Sequence, residues 1–582
     1  MKAIKDRKKS DSRLIFIVVA ALLALTYLIL SFIASTVKEE DIELQLSKEL
    51  PGPQFSKPYG FYNKEFLLNI TSTTPGARIY YTTDGSTPTE DSELYSKPLL
   101  IKNRESEPNG ISEIPTSPTW KSPLNKVFKG TVVKAITVVK NKKSVETAAS
   151  YFVHPKGFSR YSLPIMSFTV NPADFFSYMR GIYVRGKTFD DKDYYLRTKQ
   201  NIAKNNDWWF YPSNYRQKGM DWERPVRVNY IDYNNKKGFT LNAGVRIHGN
   251  ATRGFPQKSL RIHFRDLYGQ PALNFPLFKN GEVSTFKSLL LRNSGQDITL
   301  TMFRDALMQE LIRETNLATQ AYQPCILFIN GEYWGIYNIR ERLDADYVAT
   351  RGNIPPDSIA IVQTPGKLIH GKPGDEKAYL DIIAFAKTHD LSKPENYRHM
   401  AQWIDIENFI DYLIAEIFYA NTDWPWNNME MWRYKHPTNS TPTPGMRDGR
   451  WRWFVFDTDA GFFTSPGHKN RNMLEYVSRS KELGPLFNSL MKNPEFRGLF
   501  FDWFEYHLSY TFETKRVLAK INEMQSALAP EMKEQINRWR VPRSYASWES
   551  EVNVLREFAK SSPAYLRQHL ANFKKKYESR NP

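Results

Sequence analysis

The segment of residues 421–461 constrains the fold of this chain more than any other. It reads NTDWPWNN, then a polar loop, then RWRWFVFDTDAG. Asp423 precedes Asn428 by five residues, and a run of aromatic and β-branched residues leads into Asp457 and Asp459. The run predicts a strand whose end presents two carboxylates. An Asp, an Asn shortly after it and an Asp at the end of a strand are the side chains that phosphoryl transfer from a metal-bound nucleotide requires.

Each acidic residue of this segment has a role in that interpretation. Asp423 orients the attacking hydroxyl and accepts its proton, whereas Asn428 and Asp457 or Asp459 hold Mg²⁺. Any one of them alone is more typical of a turn or a helix cap. A D-x-D sequence after an apolar strand also occurs in metal-dependent sugar-nucleotide transferases, and that alternative stays open. Most of the nearby tryptophans are expected in the core, and one or two are candidates to stack on a base or sugar: Trp424, Trp426, Trp432, Trp451 and Trp453.

A glycine-containing loop lies earlier in the chain, at Gly249-Asn250-Ala251-Thr252-Arg253-Gly254. Backbone N–H groups of such a loop can cradle phosphates. It is not a Walker A loop, because no lysine follows the second glycine directly and a strand pattern follows instead of a helix. The sequence therefore predicts a hairpin cover over a nucleotide, with Gly249, Asn250, Thr252 and Gly254 beside the phosphates.

Lys258 lies four residues after Gly254 and opens the strand sequence QKSLRIHF. The period of two places it on the apolar face of that strand. A buried amine that remains charged needs an anionic partner, since an unpaired buried charge is costly. We therefore predict that Lys258 binds a nucleotide phosphate or pairs with a carboxylate. Glu341 is preferred to Glu310 as that carboxylate, because it directly follows a second hairpin.

Composition limits the classes of function. The chain has 582 residues, 67.9 kDa and a net charge of +18, so we expect two or three domains. The lysines and arginines are spread along the chain, which favours a solvated surface over a nucleic-acid site. The single cysteine, Cys325, excludes a disulfide within the chain and is predicted to be a buried structural thiol. His248 and His263 are predicted to be strand residues and not metal ligands.

The N-terminal region contains a continuous apolar run, Leu14–Ala34. Its length suffices to cross the hydrocarbon core of a membrane. The basic residues in front of it predict a cytoplasmic tail at 1–13, an uncleaved anchor at 14–35 and an extracytoplasmic location for the rest. A cleavable signal peptide is the alternative, although Phe32 occupies a position where a small residue is expected. The basic residues are Lys2, Lys5, Arg7, Lys8, Lys9 and Arg13.

Short β-branched runs follow a predicted linker at 36–58. They are separated by turn sequences and predict a small antiparallel β-sandwich at 59–155. The sequence YYTTDGSTPT resembles the module appended to chitobiases and β-hexosaminidases. This resemblance implies a spacer or an accessory glycan contact, and we favour the spacer.

The sequence after residue 155 predicts a β-rich half followed by a helical half. This order is found in kinase-like α+β folds of two lobes. Strands are expected in LPIMSFTV, GIYVRG and RVNYID, and hairpins around 241–269 and at Asn330-Gly331. Helices are expected near 302–315, 375–388, 405–419 and through most of 480–579.

Several of these segments together resemble the CotH kinase family. They include GVRIHGNATRGFPQKSLRIHF, LFINGEYWGIYNIRERLD, NTDWPWNN and FVFDTDAGF, within residues 160–512. A helical extension would occupy 513–582. The resemblance implies an atypical kinase that uses ATP and Mg²⁺ (or Mn²⁺) to phosphorylate Ser or Thr of proteins. It implies that Lys258 binds phosphate, that Asp423 is the catalytic base and that Asn428 with Asp457 or Asp459 binds the metal.

The resemblance leaves one choice open and shows one departure. Asp457 ends the strand, which favours it as the principal metal ligand, whereas Asp459-Ala460-Gly461 better resembles the Asp-x-Gly of ordinary kinases. The residues 435–450 lengthen the gap between the two acidic motifs. The expected function is a membrane-anchored, extracytoplasmic kinase acting on envelope or coat proteins. A non-catalytic scaffold of the cell envelope and the sugar-nucleotide transferase are the alternatives.

Overall fold

The computed structural model describes residues 25–26, 50–191, 208–232, 238–279, 281, 283–435, 445–463, 468 and 470–578. The chain forms two compact units. The first comprises the residues up to Pro58, Phe66–Ile101 and Val132–Ala149, and the second comprises the remainder.

The predicted membrane anchor lies outside the described residues, apart from Leu25 and Thr26. Within the described ranges, no helix has both the length and the apolar character needed to cross a bilayer. The anchor therefore stays a prediction of the sequence.

The N-terminal region is built from short strands, as its turn-separated β-branched runs predict. In the first unit, β5 pairs with β6 and β8, β8 with β9, β1 with β4, and β3 with β7, all antiparallel. In the second unit, β2 pairs in parallel with the end of β10. The strands are β1 (Gln54–Phe55), β2 (Gly60–Tyr62), β3 (Phe66–Leu68), β4 (Ile70–Thr71), β5 (Arg78–Thr82), β6 (Glu93–Leu94), β7 (Leu99–Ile101), β8 (Thr131–Val139), β9 (Lys142–Lys143) and β10 (Thr147–Val153).

The second unit contains a closed barrel with the strand order β11-β12-β13-β14-β17-β19-β18. Apolar side chains fill its interior, as alternation along each strand requires. The predicted turn between β18 and β19 is confirmed, and Asn330 and Gly331 both adopt positive φ, +45° and +82°. The strands of this region are β11 (Ile165–Thr169), β12 (Arg224–Ile231), β13 (Gly238–Ile247), β14 (Leu260–His263), β15 (Leu273–Asn274), β16 (Thr285–Phe286), β17 (Ser288–Arg292), β18 (Tyr322–Ile329) and β19 (Glu332–Arg340).

The strand predicted at GIYVRG is wrong. After helix α1 (Pro172–Phe176) the chain turns, and helix α2 (Gly186–Asp190) begins at the second glycine of that sequence. Gly186 has a φ of +57°, and a Cβ atom there would lie 2.0 Å from Nδ2 of Asn214. The turn and the close approach of Asn214 prevent an extended backbone.

The helical half carries a second sheet with the order β21-β20-β22-β23. Its central helix, α7 (Ile406–Tyr419), is buried along almost its whole length, and the Asp405 side chain caps it by accepting the N–H of Asn408. The strands are β20 (Ile359–Gln363), β21 (Lys367–His370), β22 (Glu430–Tyr434) and β23 (Arg452–Phe454). The helices are α3 (Arg304–Leu311), α4 (Ala345–Gly352), α5 (Lys377–Thr388), α6 (Pro394–Trp403), α7 (Ile406–Tyr419), α8 (Met473–Arg479), α9 (Gly484–Leu490), α10 (Pro494–Ser509), α11 (Thr514–Leu528), α12 (Met532–Trp539) and α13 (Tyr545–Glu578). The predicted mixed α+β class is confirmed.

Candidate active site

Two acidic loops meet at one end of the β22–β23 pair. The strands are antiparallel and place Glu430 opposite Phe454. The chain therefore enters β22 and leaves β23 at the same edge. Asn428 lies just before β22 and Asp457 just after β23, and Nδ2 of Asn428 is 3.4 Å from the backbone oxygen of Asp457. The register thus brings together two motifs that are distant in the sequence.

Asp423 is held in place by the two asparagines that follow it. The N–H of Asn427 donates to the backbone oxygen of Asp423 at 3.2 Å, which closes a helix-like turn. The side chains of Asn427 and Asn428 both donate to Oδ2 of Asp423, at 2.8 and 3.0 Å. Among the described residues, Oδ1 of Asp423 accepts no hydrogen bond. One carboxylate oxygen is therefore fixed, while the other is available to a substrate hydroxyl.

The pKa of Asp423 is raised above its usual range. Burial is the main cause, and the negative charge of Asp457 adds to it, whereas the hydrogen bonds from Asn427 and Asn428 oppose it. A raised pKa makes a carboxylate a better proton acceptor when it is ionised, which suits a general base.

Asp457 and Asp459 share one cation, the guanidinium of Arg292 at the end of β17. Nη2 of Arg292 donates to Oδ1 of Asp457 and, at 3.2 Å, to Oδ2 of Asp459. The N–H of Gln296 also donates to Oδ2 of Asp459, at 3.1 Å. Burial, followed by the charge of Asp457, raises the pKa of Asp459. Two carboxylates that bind one cationic nitrogen form a donor pair for cations.

Backbone strain is concentrated around these loops. Asn428 and Asp457 have φ values of +53° and +56°, and Ala420 and Phe462 have values of +50° and +59°. Asn and Asp tolerate this left-handed region, whereas Ala and Phe pay a larger steric penalty in it. Strained backbone of this kind clusters at functional sites because the surrounding structure holds it there.

The outer face of the barrel next to Arg292 carries further arginines. Arg246 in β13 lies directly opposite Arg261 in β14, and both alternate with side chains of the barrel interior. Arg342 follows β19. We call Arg246, Arg261, Arg292 and Arg342 the arginine face. Removal from water and the charges of Arg342 and Arg261 lower the pKa of His248 well below its usual range.

Arg342 connects this face to the acidic loops. It lies 3.2 Å from Oδ2 of Asp344, which Arg261 also approaches at 3.4 Å. Burial raises the pKa of Glu430, at the start of β22, and the charge of Arg342 opposes that rise. Guanidinium groups bind phosphate through paired N–H donors, and those of Arg261 and Arg342 share the carboxylate of Asp344 while that of Arg246 pairs with Glu223.

The predicted pairing of Lys258 with a carboxylate is wrong, and its contact with a phosphate stays a prediction. Its side chain is on the apolar side, as the alternation predicts, but it has an exposure of 0% and its amine faces no carboxylate of the described residues. Nζ donates to the backbone oxygens of Arg253 and Phe255, at 2.8 and 2.7 Å, and lies 3.7 Å from the ring centre of Tyr215. Burial and nearby arginine charges lower its pKa well below the usual range. Lys258 therefore fastens the glycine loop from within.

Neither carboxylate proposed as the partner of Lys258 contacts it. Glu341 accepts two hydrogen bonds from Nη2 of Arg351, both at 2.8 Å, and Glu310 lies 3.5 Å from Arg313. Both glutamates are thus ordinary members of local ion pairs. Helix α4, which follows the hairpin, supplies Arg351 as the partner of Glu341, and the sequence pattern alone did not predict this pairing.

The glycine loop is a tightly packed cover. Its residues 251–254 form a 3₁₀ turn. Nε of Arg253 donates to the backbone oxygen of Gly249 at 2.7 Å, and a Cβ atom on Gly254 would lie 2.7 Å from Cα of Trp209. Gly249 has a φ of +100°. These contacts explain both glycines by packing, while contact of Gly249, Asn250, Thr252 and Gly254 with a phosphate stays a prediction.

The sequence also carried a signal for the residues that it did not assign. Arg246 lies between Val245 and Ile247, Arg261 lies between Leu260 and Ile262, and Arg292 follows Leu291. A row of arginines on one face of successive strands predicts an anionic ligand more directly than a single lysine does. Of the tryptophans, four are buried as expected, and Trp426 is 57% exposed.

Glu416, near the end of α7, is a buried carboxyl beside the Asp423 loop. Its Oε2 accepts a hydrogen bond from Nδ2 of Asn421 at 2.8 Å. Burial raises its pKa from 4.5 to about 8, and the charges of Asp305 and Asp423 add to the rise. Between those two pH values the folded protein therefore holds a proton that the unfolded chain has lost.

The folded state should consequently lose stability as the pH rises through this window, by about 1.4 kcal/mol per unit. Glu416→Gln resembles the protonated form and removes this dependence. We expect urea unfolding at pH 5, 6.5 and 8 to show the variant gaining stability relative to the wild type as the pH rises. Glu407→Gln, at the exposed start of the same helix, is the matched control. A difference that stays constant with pH would contradict a buried neutral Glu416.

One known family matches the N-terminal part of the chain, and another matches the part that contains the candidate site. The model of the CotH kinase protein family matches residues 245–566, more than half of the 582-residue chain. The model of the chitobiase/beta-hexosaminidase C-terminal domain matches residues 57–106. A search of the curated proteins returned no match. The CotH match includes both acidic loops and the whole arginine face, and the chain therefore belongs to the CotH kinase family.

Proposed function

We propose that this protein is an atypical kinase that transfers the γ-phosphate of ATP to a Ser or Thr hydroxyl of a protein. The observation that carries the proposal is the meeting of Arg292 with Asp457 and Asp459, next to Asp423 and Asn428. A cation from the arginine face, a cation-binding carboxylate pair and an oriented base are the parts that phosphoryl transfer needs.

The donor set fits Mg²⁺ or Mn²⁺. Protein sites for Mg²⁺ commonly use one or two carboxylates, with nucleotide phosphates and water completing the shell. Asp457 and Asp459 already accept hydrogen bonds from one cationic nitrogen, and Asn428, whose Nδ2 lies 3.4 Å from the backbone oxygen of Asp457, would add its amide oxygen. We assign Asp457, Asp459 and Asn428 as the ligands because their acidic and amide groups meet at one edge of the β22–β23 pair. When bound, the metal neutralises phosphate charge.

The residues of the chain have distinct roles in the proposed reaction. Oδ1 of Asp423 accepts the proton of the attacking hydroxyl, because Asn427 and Asn428 fix the other oxygen. The arginine face binds and orients the phosphates. Arg292 stabilises the negative charge that shifts onto the leaving phosphate oxygens, which is the role that the sequence assigned to Lys258.

The predicted membrane anchor and the chitobiase-like module bear on where the protein acts and on what it contacts. The predicted anchor would place both units outside the cytoplasm, where proteins of the envelope or coat are the available Ser/Thr substrates. The chitobiase-like module serves as a spacer or as an accessory contact with glycans. No role in nucleic-acid binding is proposed, because the arginines that cluster do so around the acidic loops.

The alternatives differ in what they require. A D-x-D sugar-nucleotide transferase requires a parallel α/β nucleotide domain, whereas the barrel pairs are antiparallel apart from β11 with β18. A scaffold without catalysis requires neither an oriented base nor a cation-binding acid pair. The kinase therefore accounts for more of the observed geometry.

Isothermal calorimetry tests the nucleotide site directly. We expect ATP to bind in the presence of Mg²⁺ or Mn²⁺, and Arg292→Met to weaken binding by roughly 10- to 100-fold, because charged hydrogen bonds contribute about 1.5–3 kcal/mol each. Asp457→Asn should weaken the metal-dependent part. Arg479→Met, at an exposed ion pair on α8, is the matched control. Absence of ATP binding with either metal, or binding indifferent to both site variants, would refute the proposal.

A further inference from the structure

Trp426 is an exposed indole beside the proposed base. It lies three residues after Asp423, and 57% of its surface is accessible. The neighbouring Trp424 is fully buried and donates from Nε1 to Oη of Tyr412 at 2.8 Å. Large aromatic side chains contribute much apolar area to contacts, so an exposed indole in the loop of the base is available to a ligand. The core does not account for Trp426.

The ring of Trp426 is held in a defined position. Its Nε1 donates to Oη of Tyr476 on α8 at 3.2 Å. The same hydroxyl lies 3.4 Å from the backbone oxygen of Thr422, the residue before Asp423. The turn closed by Asn427 fixes the backbone between these points. Trp426 and Tyr476 therefore form a rigid aromatic platform attached to the loop that carries the base.

A cation lies at the edge of this platform. The guanidinium of Arg471 lies 5.1 Å from the ring centre of Tyr476. It has no ion-pair partner within the part of the chain that the structure describes, and its charge lowers the pKa of the adjacent His468, after the effect of burial. A partly exposed arginine stacked on an aromatic ring retains N–H donors for a carboxylate.

We propose that Trp426, Tyr476 and Arg471 form the binding site for the acceptor peptide, which selects a bulky apolar residue and an acidic residue close to the Ser or Thr. The inference rests on the proposed kinase function. Because the platform belongs to the same turn as Asp423, a side chain stacked on Trp426 holds the acceptor peptide beside the proposed base. The carboxylate binds Arg471, and the net charge of +18 favours the approach of an acidic partner.

A peptide library tests this site on the full chain. The probe is a positional-scanning library with a fixed central Ser or Thr, radiolabelled ATP and Mg²⁺. We expect selection of aromatic or long aliphatic residues at one position and of Asp or Glu at another. For the best peptide, Trp426→Ala should raise KM about tenfold with kcat nearly unchanged, whereas Trp426→Phe should largely restore KM, since only uniform binding is lost.

Charge reversal gives an independent readout. Arg471→Glu should exchange the preference for Asp or Glu for a preference for Lys or Arg at the same peptide position. Tyr510→Ala, an aromatic that is 64% exposed at the end of α10, is the matched control for Trp426→Ala and should leave the selection unchanged. Thermal melting checks that every variant folds.

The outcomes separate this inference from the kinase proposal. Three outcomes would overturn the acceptor site alone, provided that calorimetry shows ATP binding. They are peptide selection without a preference, no peptide phosphorylation, and a preference that is unchanged in Trp426→Ala and Arg471→Glu. Absence of ATP binding would overturn both.

Discussion

Replacing Asp423 with asparagine is expected to lower the rate of phosphoryl transfer by roughly 10²- to 10⁴-fold, the usual contribution of a positioned general base. Asparagine has nearly the same shape but cannot accept the proton of the hydroxyl. The burial that raises the pKa of Asp423 and the two asparagine donors that fix its orientation both serve proton acceptance. Single-turnover transfer of radiolabelled phosphate to a peptide measures the effect.

The loss should appear in the chemical step. We expect calorimetry to give similar ATP affinities for the wild type and Asp423→Asn, because Asp423 is not assigned to the phosphates or the metal. Asp502→Asn, on the exposed side of α10, is the matched control and should transfer phosphate at the normal rate. A transfer rate in Asp423→Asn within about threefold of the wild type would exclude Asp423 as the base.

Arg304→Met is expected to cause the largest loss of stability, about 3–5 kcal/mol, since breaking a buried ion pair leaves an uncompensated charge. Arg304 and Asp297 have exposures of 0% and 1%, and Nε of Arg304 lies 3.1 Å from Oδ1 of Asp297. Nη1 of Arg304 also donates to the backbone oxygens of Gly461 and Phe462, at 3.0 and 2.8 Å. The free energy of unfolding in urea measures the loss.

The same substitution at a more exposed pair provides the control. Arg313 lies 3.5 Å from Glu310, with exposures of 34% and 16%, and Arg313→Met should cost at most about 1 kcal/mol. Because Arg304 fixes the backbone just after Asp459, its loss should also weaken metal-dependent ATP binding. Equal destabilisation by the two variants would show that burial of the Arg304 pair contributes nothing.

The acidic loops were predictable from sequence because each motif is local. Asp457 lies three residues after β23, at the end of a run of aromatic and β-branched residues, and Asn428 lies two residues before β22. The strand that leads into Asp457 was predicted from its aromatic and β-branched residues, whereas β22 was not predicted. The antiparallel pairing of neighbouring strands then brings the two loops to one edge without any knowledge of distant contacts.

The sequence assigned the phosphate-binding role to Lys258, whereas the structure places Arg292 beside the acidic loops, and this difference has a physical reason. The sequence placed the side chain of Lys258 on the apolar face, which is correct, but assumed that its charge would persist there. The structure satisfies the amine with two backbone oxygens and an aromatic ring, and its pKa falls. Arg292 takes the position near the acids through the pairing of β17 with β14 and β19, a long-range arrangement that no local pattern reports.

The β22–β23 hairpin has a consequence for variation within this fold. Its two ends are separate: Asn428 and Asp457 lie beyond the Glu430–Phe454 pair, whereas β22 ends at Tyr434 and β23 begins at Arg452 at the other end. The sequence that joins Tyr434 to Arg452 is the connector. We expect a longer or shorter connector to leave the strand register unchanged. The number of residues between the two acidic motifs can therefore vary while the distance between them in space stays the same. We therefore expect a tag or reporter peptide inserted into that connector to leave the rate of the proposed phosphoryl transfer unchanged.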